Sequence, residues 1–537
     1  MLGKKDQQCK LLYGFSLEGA VPQDDFYRQL QAAVDLCWVR SLAAPYYSTI
    51  GRPSLDPEVF AKIELIGYLE GIVSERRLMR ETADRLSLRR YIGYDIDEEV
   101  PDHSTLSKTR TLLGKELCQA ILDHSVRLCM AAGMVGDVHQ SVDKTIVKAN
   151  ASLESMEPRV VHQSPQQFLE RVFVENDEPA EERRESAGLG PVVSVEEQPG
   201  YPLRLPVTPA DPEAALVRQA PRRAEEGKGK GKKGVEAKGK KEKKGPVSNA
   251  THFSRSDPEA ELVSRPHLPL ILAHAAEFYV DSRGGVIVQA EATRANLAEQ
   301  ETVMQEIQRQ RQVLGLRVPS LSADKGYGKG PLYKELVEAG VVGYIPHARQ
   351  GNWTKEQELY GVKDFVYVPE RNVYLCPVGK ELVYRHLDLA WPQVKHVWRA
   401  QTQDCKGCAQ RGACTTAKIG RSLCLSIYEP YYQEMDQRLA GQGARLAAIA
   451  RRTGPEREFA EAKEKHGLRR AKYRGLVKFG YQVKMTAAAM NLKKYVRWVW
   501  RKGWGAGMKR AEKQEGSSLS LCFKTIAAWL TPSPVLS

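Results

Sequence analysis

The order of strands and helices between residues 136 and 346 constrains the fold most strongly. The segment GDVHQSVDKTIVKANAS alternates like a β-strand, and LPLILAHAAEFYVDSRGGVIVQAEATRAN predicts two strands joined at SRGG. A helix, the strand LRVPSLSAD, the helix LYKELVEAG and the strand VVGYIP follow. Antiparallel strands followed by parallel crossovers predict an α/β fold, a mixed sheet flanked by helices.

Residues 1–130 have a helical period instead. Asp56 as N-cap and Pro57 at the first helical position begin one helix, and SERRLMRETADRLSLRRYIGY and DHSTLSKTRTLLGKELCQAILDHSV predict others. Arg and Lys lie on their outer faces. Such helices suit helix-turn-helix-like DNA binding, and an ordinary helical bundle is the alternative.

The charge balance predicts a polyanionic partner. The chain has 537 residues, with 80 Lys+Arg against 66 Asp+Glu, a surplus of +14. We expect a cytoplasmic protein with no membrane partner, because no apolar run could span a bilayer and the start lacks a signal peptide.

A charged insertion separates the first two predicted strands. Residues 222–246 contain 11 basic and 4 acidic residues with almost no apolar side chain, which cannot form a core. We predict a disordered Lys/Glu-rich insertion over residues 157–246, with structure ending near Ser152 and resuming near His267. Its lysines either solvate a linker or hold DNA phosphates loosely.

Two aspartates follow apolar strand segments. Asp143 ends SVD and Asp324 ends LSAD, and each precedes a turn that carries Lys. Carboxylates on rigid elements are the ligands that two-magnesium phosphodiester chemistry needs. The alternative for each is a strand-end Asp that caps a turn.

A third carboxylate lies between two cations. Arg452, Glu456 and Lys463 have the spacing R-x3-E-x6-K, which on one continuous helix places all three on one face. A salt-bridge ladder would have the same pattern. Glu458 and Glu461 are nearby, but neither has this spacing to both an Arg and a Lys.

Together, SVDKTIVKANAS, LSADKGYG and R-x3-E-x6-K resemble the D-D-E transposases of bacterial insertion sequences, in the branch with a Y-(2)-R-(3)-E-(6)-K signature. Ile449 stands where that signature has Tyr. The resemblance implies an RNase H-like core with a helical N-terminal domain. It implies that two Mg²⁺ ions bind the triad Asp143, Asp324 and Glu456, and that four cations contact DNA: Arg452, Lys463, Lys325 and Lys148.

The resemblance also implies function and organisation. The chain would cut the terminal repeats of its element and join the 3′ hydroxyl to target DNA, as a homodimer on double-stranded DNA in the bacterial nucleoid. Its parts would be a DNA-binding domain at 1–130, a catalytic domain at 131–498 and a tail at 499–537. A nuclease without strand transfer, and a decayed zinc-bearing DNA-binding protein, are the alternatives.

Five cysteines lie in one stretch. Cys405-x2-Cys408-x5-Cys414, together with Cys376, has the spacing of a four-thiolate structural Zn²⁺ site, and Cys424 is an alternative fourth ligand. Unrelated reduced thiols are the other reading. We predict zinc because residues 370–425 are polar and would otherwise have little to hold them together.

Overall fold

A computed structural model describes residues 16–48, 50, 54–159, 247–264, 269–297, 302–347, 359–389 and 394–501. Most of the predicted insertion, residues 160–246, and most of the predicted tail, residues 502–537, therefore lie outside the described residues.

The described part of residues 16–131 is helical, as the periodicity predicts. The Asp56 carboxylate accepts the Glu58 N–H at 2.9 Å, so Asp56 caps the helix that begins at Pro57. The helices are α1 (Leu17–Ala20), α2 (Phe26–Ala33), α3 (Trp38–Ala43), α4 (Pro57–Leu69), α5 (Glu75–Asp84), α6 (Leu86–Ile92) and α7 (His103–Ala131).

Six of the eight described strands between residues 140 and 344 form the first sheet, and the other two pair with each other. In chain order the strands up to residue 344 are β1 (Gln140–Lys148), β2 (Met156–Pro158), β3 (His252–Ser254), β4 (Glu261–Val263), β5 (Ile271–Asp281), β6 (Ile287–Arg294), β7 (Ser320–Ser322) and β8 (Val342–Tyr344). β5 pairs antiparallel with β1, β4 and β6, whereas β7 pairs parallel with β1 and β8. The mixed α/β sheet predicted from the sequence is confirmed.

Two helices make the crossovers of this sheet. α8 (Val303–Arg309) continues into a π-helical turn at Gln310–Leu314 between β6 and β7, and α9 (Gly330–Glu338) joins β7 to β8. The predicted sequence of strands and helices is therefore found in this part of the chain.

The predicted ends of the strands on either side of the insertion need correction. β2 and β3 pair antiparallel with each other, and β4 pairs with the beginning of β5. Structure therefore continues beyond Ser152 to residue 159 and resumes by residue 252, well before residue 267. β2, β3 and β4 have three residues each and lie outside the apolar runs from which the other strands are predicted.

The cysteine-bearing segment forms a second, five-stranded antiparallel sheet. Its elements are β9 (Val366–Val368), β10 (Val373–Leu375), β11 (Glu381–Asp388), β12 (Lys395–Ala400), α10 (Thr402–Lys406), α11 (Arg411–Cys414) and β13 (Ser422–Ser426). The expectation that this segment has little to hold it together is wrong. It has its own apolar cluster, which includes Phe365, Leu382 and Trp398.

Four helices end the described chain: α12 (Glu429–Ala440), α13 (Gln442–Thr453), α14 (Pro455–Lys465) and α15 (Leu476–Arg501). Asn491 on α15 accepts the Ile287 N–H at 2.9 Å and donates to Ser125 at 3.2 Å, which joins α15 to β6 and α7. One apolar core runs through the N-terminal helices, the first sheet and α15. No helix among the described residues is long and apolar enough to cross a bilayer.

Candidate catalytic site

Asp143 lies within β1, and Asp324 lies two residues after the end of the neighbouring parallel strand β7. Ser141 on β1 is in register with Ser322 on β7, and each aspartate lies two residues further along its chain. Because side chains alternate along a strand, each aspartate is on the same side of its chain as its paired serine. The fold therefore places the first two predicted carboxylates near each other, with Asp143 inside β1 and Asp324 just beyond β7.

Polar side chains fix the register of these two strands. The Ser141 and Ser322 hydroxyls are 2.9 Å apart, and the two ring nitrogens of His139 lie 2.9 Å from the Ser320 hydroxyl and 3.0 Å from the Ser322 hydroxyl. Burial lowers the pKa of His139, so the ring is neutral and bonds through one donor and one acceptor nitrogen. β7 has only three residues, and these contacts supplement its few backbone bonds.

The turn after Asp324 is held by its own side chain. Asp324 Oδ1 accepts the Gly326 N–H at 2.8 Å, so this aspartate does cap a turn as well as following a strand. Lys325 is exposed in that turn. A Cβ on Gly328 would come within 2.2 Å of the Pro346 carbonyl oxygen, so this close approach requires glycine.

The prediction that one helix face carries Arg452, Glu456 and Lys463 is wrong for Arg452. α13 ends before Gly454, and α14 begins at Pro455, which lacks the N–H needed to continue the preceding helix. Arg452 is exposed in the last turn of α13, whereas Glu456 and Lys463 both lie on α14.

α14 packs against β1, which carries Asp143, and against its neighbour β5. Phe459 stacks on Phe278, with ring centroids 4.3 Å apart, and Phe278 is the residue of β5 that pairs with Asp143. Lys463 donates to the Thr145 hydroxyl at 2.6 Å, two residues from Asp143. Glu456, in the first turn of α14, is exposed.

Glu458 points elsewhere. It is buried and pairs with Lys494 of α15 at 2.6 Å. Its carboxylate therefore belongs to the packing between α14 and α15, in agreement with its exclusion on spacing.

The electrostatics of Asp143 connect the three carboxylates. Burial is the largest cause that raises the pKa of Asp143 to about 6, and the negative charges of Asp324 and Glu456 act in the same direction. The Lys144 N–H, bonded to Asp143 at 2.8 Å, and the charge of Arg451 lower it. Asp324 and Glu456 are thus both near enough to Asp143 for their charges to act on it.

The charge of Arg451 lowers the pKa of Asp143, and Arg452 is not among the main causes of that shift. Spacing to Glu456 favours Arg452 only if the helix is continuous. The proline at position 455 is the sequence signal against this spacing argument, because it marks the end of one helix and the start of the next.

The chemistry of these donors suits a hard divalent cation. Carboxylates that repel one another are stabilised by such an ion, and Mg²⁺ is commonly held by one or two carboxylates together with water and substrate phosphate. Among the residues that the structure describes, no group of three or more His, Cys, Asp or Glu side chains is close enough to hold a metal ion by itself.

Exposed cations lie at the end of the strand that carries Asp143. Lys148 forms an isolated β-bridge with Arg470, the Arg470 guanidinium donates to the Asn150 side chain at 3.2 Å, and Arg474 donates to the Asn150 carbonyl at 3.2 Å. Lys148, Arg470 and Arg474 are all exposed, and we call them the basic rim.

The N-terminal helices hold the other end of α14. His466, which follows α14, donates from Nδ1 to the Tyr68 carbonyl at 2.7 Å and is buried. Gly71 has φ +67°, and a Cβ there would lie 2.4 Å from the Lys465 carbonyl oxygen. The helix that carries Glu456 is therefore positioned by residues of the helical N-terminal region.

The four cysteines predicted to bind zinc line one cavity of the second sheet: Cys376, Cys405, Cys408 and Cys414. The Lys380 N–H donates to Cys376 Sγ at 3.3 Å. Cys424 is exposed on β13, opposite Val397. The structure therefore groups the predicted four and separates Cys424 from them, without bringing them to metal-binding distance.

Two family models match the chain. One, described as a transposase domain (DUF772), matches residues 15–112, and the other, a transposase DDE domain, matches residues 375–496. Together they indicate a DDE transposase of the insertion-sequence type, which confirms the resemblance carried by the motifs. The second match includes Glu456 and Lys463, while Asp143 and Asp324 lie outside both.

Likeness to solved structures is weak. The cryo-EM structure of the piggyBac transposase synaptic complex with hairpin DNA is 9% identical, over 95% of this chain and 84% of that chain, with a TM-score of 0.25. This score is too low to support an argument about the fold. No curated protein matches the chain.

Proposed function

We propose that the chain is a DNA transposase that cuts the ends of its element and joins the exposed 3′ hydroxyl to target DNA. Asp143, Asp324 and Glu456 would hold two Mg²⁺ ions. The observation that carries the proposal is geometric: the parallel pairing of β1 with β7 places Asp143 beside the segment that carries Asp324, and α14, which carries Glu456, packs on β5 and β1 through Phe459 and Lys463.

Bound Mg²⁺ would activate the attacking oxygen and stabilise the leaving oxygen of an in-line displacement at phosphorus. The chain's own residues orient the substrate. Lys463, which is bonded to Thr145 two residues from Asp143, and Arg451, whose charge acts on Asp143, would contact the phosphate at the cut, where the resemblance alone points to Arg452. Lys325 would contact the same strand of DNA from the turn after Asp324.

The basic rim extends this contact. Lys148, Arg470 and Arg474 continue from the strand that carries Asp143, and exposed guanidinium and ammonium groups bind phosphates without regard to sequence. Residues 1–130 would supply the sequence-dependent contacts to the terminal repeat. We also propose a homodimer, for which the family resemblance is the support.

The strand order supports an RNase H-like core. An antiparallel group, β6, β5 and β1, is followed by the parallel strands β7 and β8, with Asp143 on the central strand β1. We propose that this sheet, with α8, α9 and α12–α15, is the catalytic domain and that the second sheet is inserted into it between Asp324 and Glu456.

Zinc in the second sheet is a separate proposal. The shared cavity and the N–H donated to Cys376 favour one structural Zn²⁺ on Cys376, Cys405, Cys408 and Cys414. The sheet's own apolar cluster means that zinc would add to its stability without being its only support.

A cleavage and joining assay tests the function. The purified chain, Mg²⁺ and the DNA that flanks its own gene should give cut ends and joined products. Asp143→Asn, Asp324→Asn and Glu456→Gln should abolish both products and leave DNA binding within a few fold, because they remove metal ligands.

Glu464→Gln is the matched control. Glu464 lies on the same helix as Glu456, is exposed and pairs with Arg469, so this variant should have wild-type activity. Cut ends without joined products would favour the nuclease, and DNA binding without cleavage by the wild type would favour the decayed binding protein.

A further inference from the structure

We propose that Glu277 is a positioning residue whose buried carboxylate, through the hydroxyl of Tyr327, holds the turn that carries Asp324. The proposal rests on the proposed function, because it concerns the placement of a residue to which that function assigns a metal. Glu277 itself is assigned no ligand role.

Glu277 lies directly behind the site. It is on β5, 1% exposed, and pairs with Lys144, whereas the adjacent Phe278 pairs with Asp143. Neighbouring residues of a strand point to opposite faces. Asp143 and Glu277 therefore occupy opposite faces of the sheet, and Glu277 is not a fourth member of the carboxylate group.

Three hydroxyl groups from different places in the chain donate to Glu277. Tyr327 reaches Oε1 at 2.6 Å, and Thr302 and Tyr279 each reach Oε2 at 3.0 Å. Burial raises the pKa of Glu277, while these three bonds and the charge of Lys144 lower it. A buried carboxylate without such donors would be costly, so the hydroxyls and the carboxylate stabilise one another.

Asp324 needs an anchor of this kind. The pairing of β7 with β1 ends at Ser322, and Asp324 lies beyond it in a short turn that its own carboxylate caps through Gly326. The next residue of the turn, Tyr327, is fully buried and bonded to Glu277. The position of the Asp324 carboxylate thus depends on a contact made 50 residues away in sequence.

A matched pair of variants separates positioning from packing. Tyr327→Phe and Thr302→Ala each remove one hydroxyl from Glu277, but only Tyr327 belongs to the turn that carries Asp324. Thr302 precedes α8 and makes no side-chain cap bond there, so its replacement removes this contact without uncapping the helix.

Two measurements compare them. Tyr327→Phe should raise the Mg²⁺ concentration for half-maximal cleavage by about 10- to 100-fold, as loss of a residue that orients a metal ligand does, whereas Thr302→Ala should change it less than about threefold. In metal-free protein without DNA, the Gly326 amide should exchange its hydrogen faster in Tyr327→Phe and at the wild-type rate in Thr302→Ala.

The exchange measurement does not depend on activity. If the wild type fails to cleave DNA, the proposed function is wrong, and Gly326 exchange still decides whether Tyr327 holds the turn. Wild-type exchange in Tyr327→Phe, or equal changes in both variants, would overturn the proposal. Glu277→Ala, which leaves Tyr327 in place, is the second variant: it should also accelerate Gly326 exchange, and an unchanged rate would count against the anchor.

Discussion

Asp143→Asn should stabilise the metal-free protein while it abolishes cleavage. The carboxyl pKa of Asp143 is raised from 3.8 to about 6, so the folded state disfavours its charged form. At about 1.4 kcal/mol for each pKa unit, this difference corresponds to a destabilisation of roughly 3 kcal/mol when the group is ionised. Asparagine has the same shape and keeps an oxygen that accepts the Lys144 N–H, which lies 2.8 Å from Asp143 Oδ1.

The stability difference between the wild type and Asp143→Asn should depend on pH. Below pH 3.8 the carboxyl is protonated in both the folded and the unfolded state, so the wild type and Asp143→Asn should have similar stability. As the pH rises to about 6, the unfolded chain releases this proton first, and the wild type loses stability relative to the variant. Above pH 6 the difference should be constant.

Thermal melting in EDTA at pH 4 and pH 7.5 measures the effect. One kcal/mol moves Tm by about 2–4 °C at 150–250 residues and by less in a longer chain, so we expect a gain of a few degrees at pH 7.5. Saturating Mg²⁺ should reduce the gain by stabilising the folded wild type. Exposed Glu464→Gln, the control, should change the unfolding free energy by less than about 0.5 kcal/mol.

An Asp143→Asn variant that melts at or below the wild type in EDTA at pH 7.5 would refute this reasoning. It would mean that burial and the nearby negative charges together do not destabilise the Asp143 carboxylate. The electrostatic support for the grouping of the three carboxylates would be lost with it.

Three further predictions concern docking, DNA contact and zinc. Gly71→Ala should lower the unfolding free energy, measured by urea titration, more than Gly93→Ala does. Both glycines have positive φ, but only a Cβ at position 71 would contact the Lys465 carbonyl oxygen. Equal losses in the two variants would contradict the packing of α14 on the N-terminal helices. The double variant Arg470→Ala and Arg474→Ala should reduce the slope of log K for DNA binding against log salt concentration by about 1 for each lost phosphate contact. The control Arg385→Ala, at an exposed residue outside the basic rim, should leave that slope unchanged. An unchanged slope in the double variant would show that the basic rim does not contact DNA. Metal analysis of reduced wild-type protein should give about one zinc per chain, which the Cys376→Ser variant should lose and the Cys424→Ser variant should retain. A wild-type protein that contains no zinc would contradict the zinc proposal.

The sequence by itself determined β1 and β5–β8 of the first sheet, and the beginning of the first long N-terminal helix. Alternation predicts β1, a continuous apolar run predicts the buried strand β5, and Asp56 and Pro57 specify a helix start through local hydrogen bonds. Asp143 and Asp324 could be proposed for the same reason, since each comes directly after a recognisable apolar strand segment.

Tertiary structure decided what these elements bring together. The break at Pro455 places Arg452 on a different helix from Glu456. The apolar cluster of the second sheet assembles from strands whose short segments look polar. Glu277 and Tyr327 meet only because β5 lies against the turn after β7. Periodicity and capping depend on neighbours within a few residues, whereas these contacts join residues far apart in the chain and exist only after the sheet has formed.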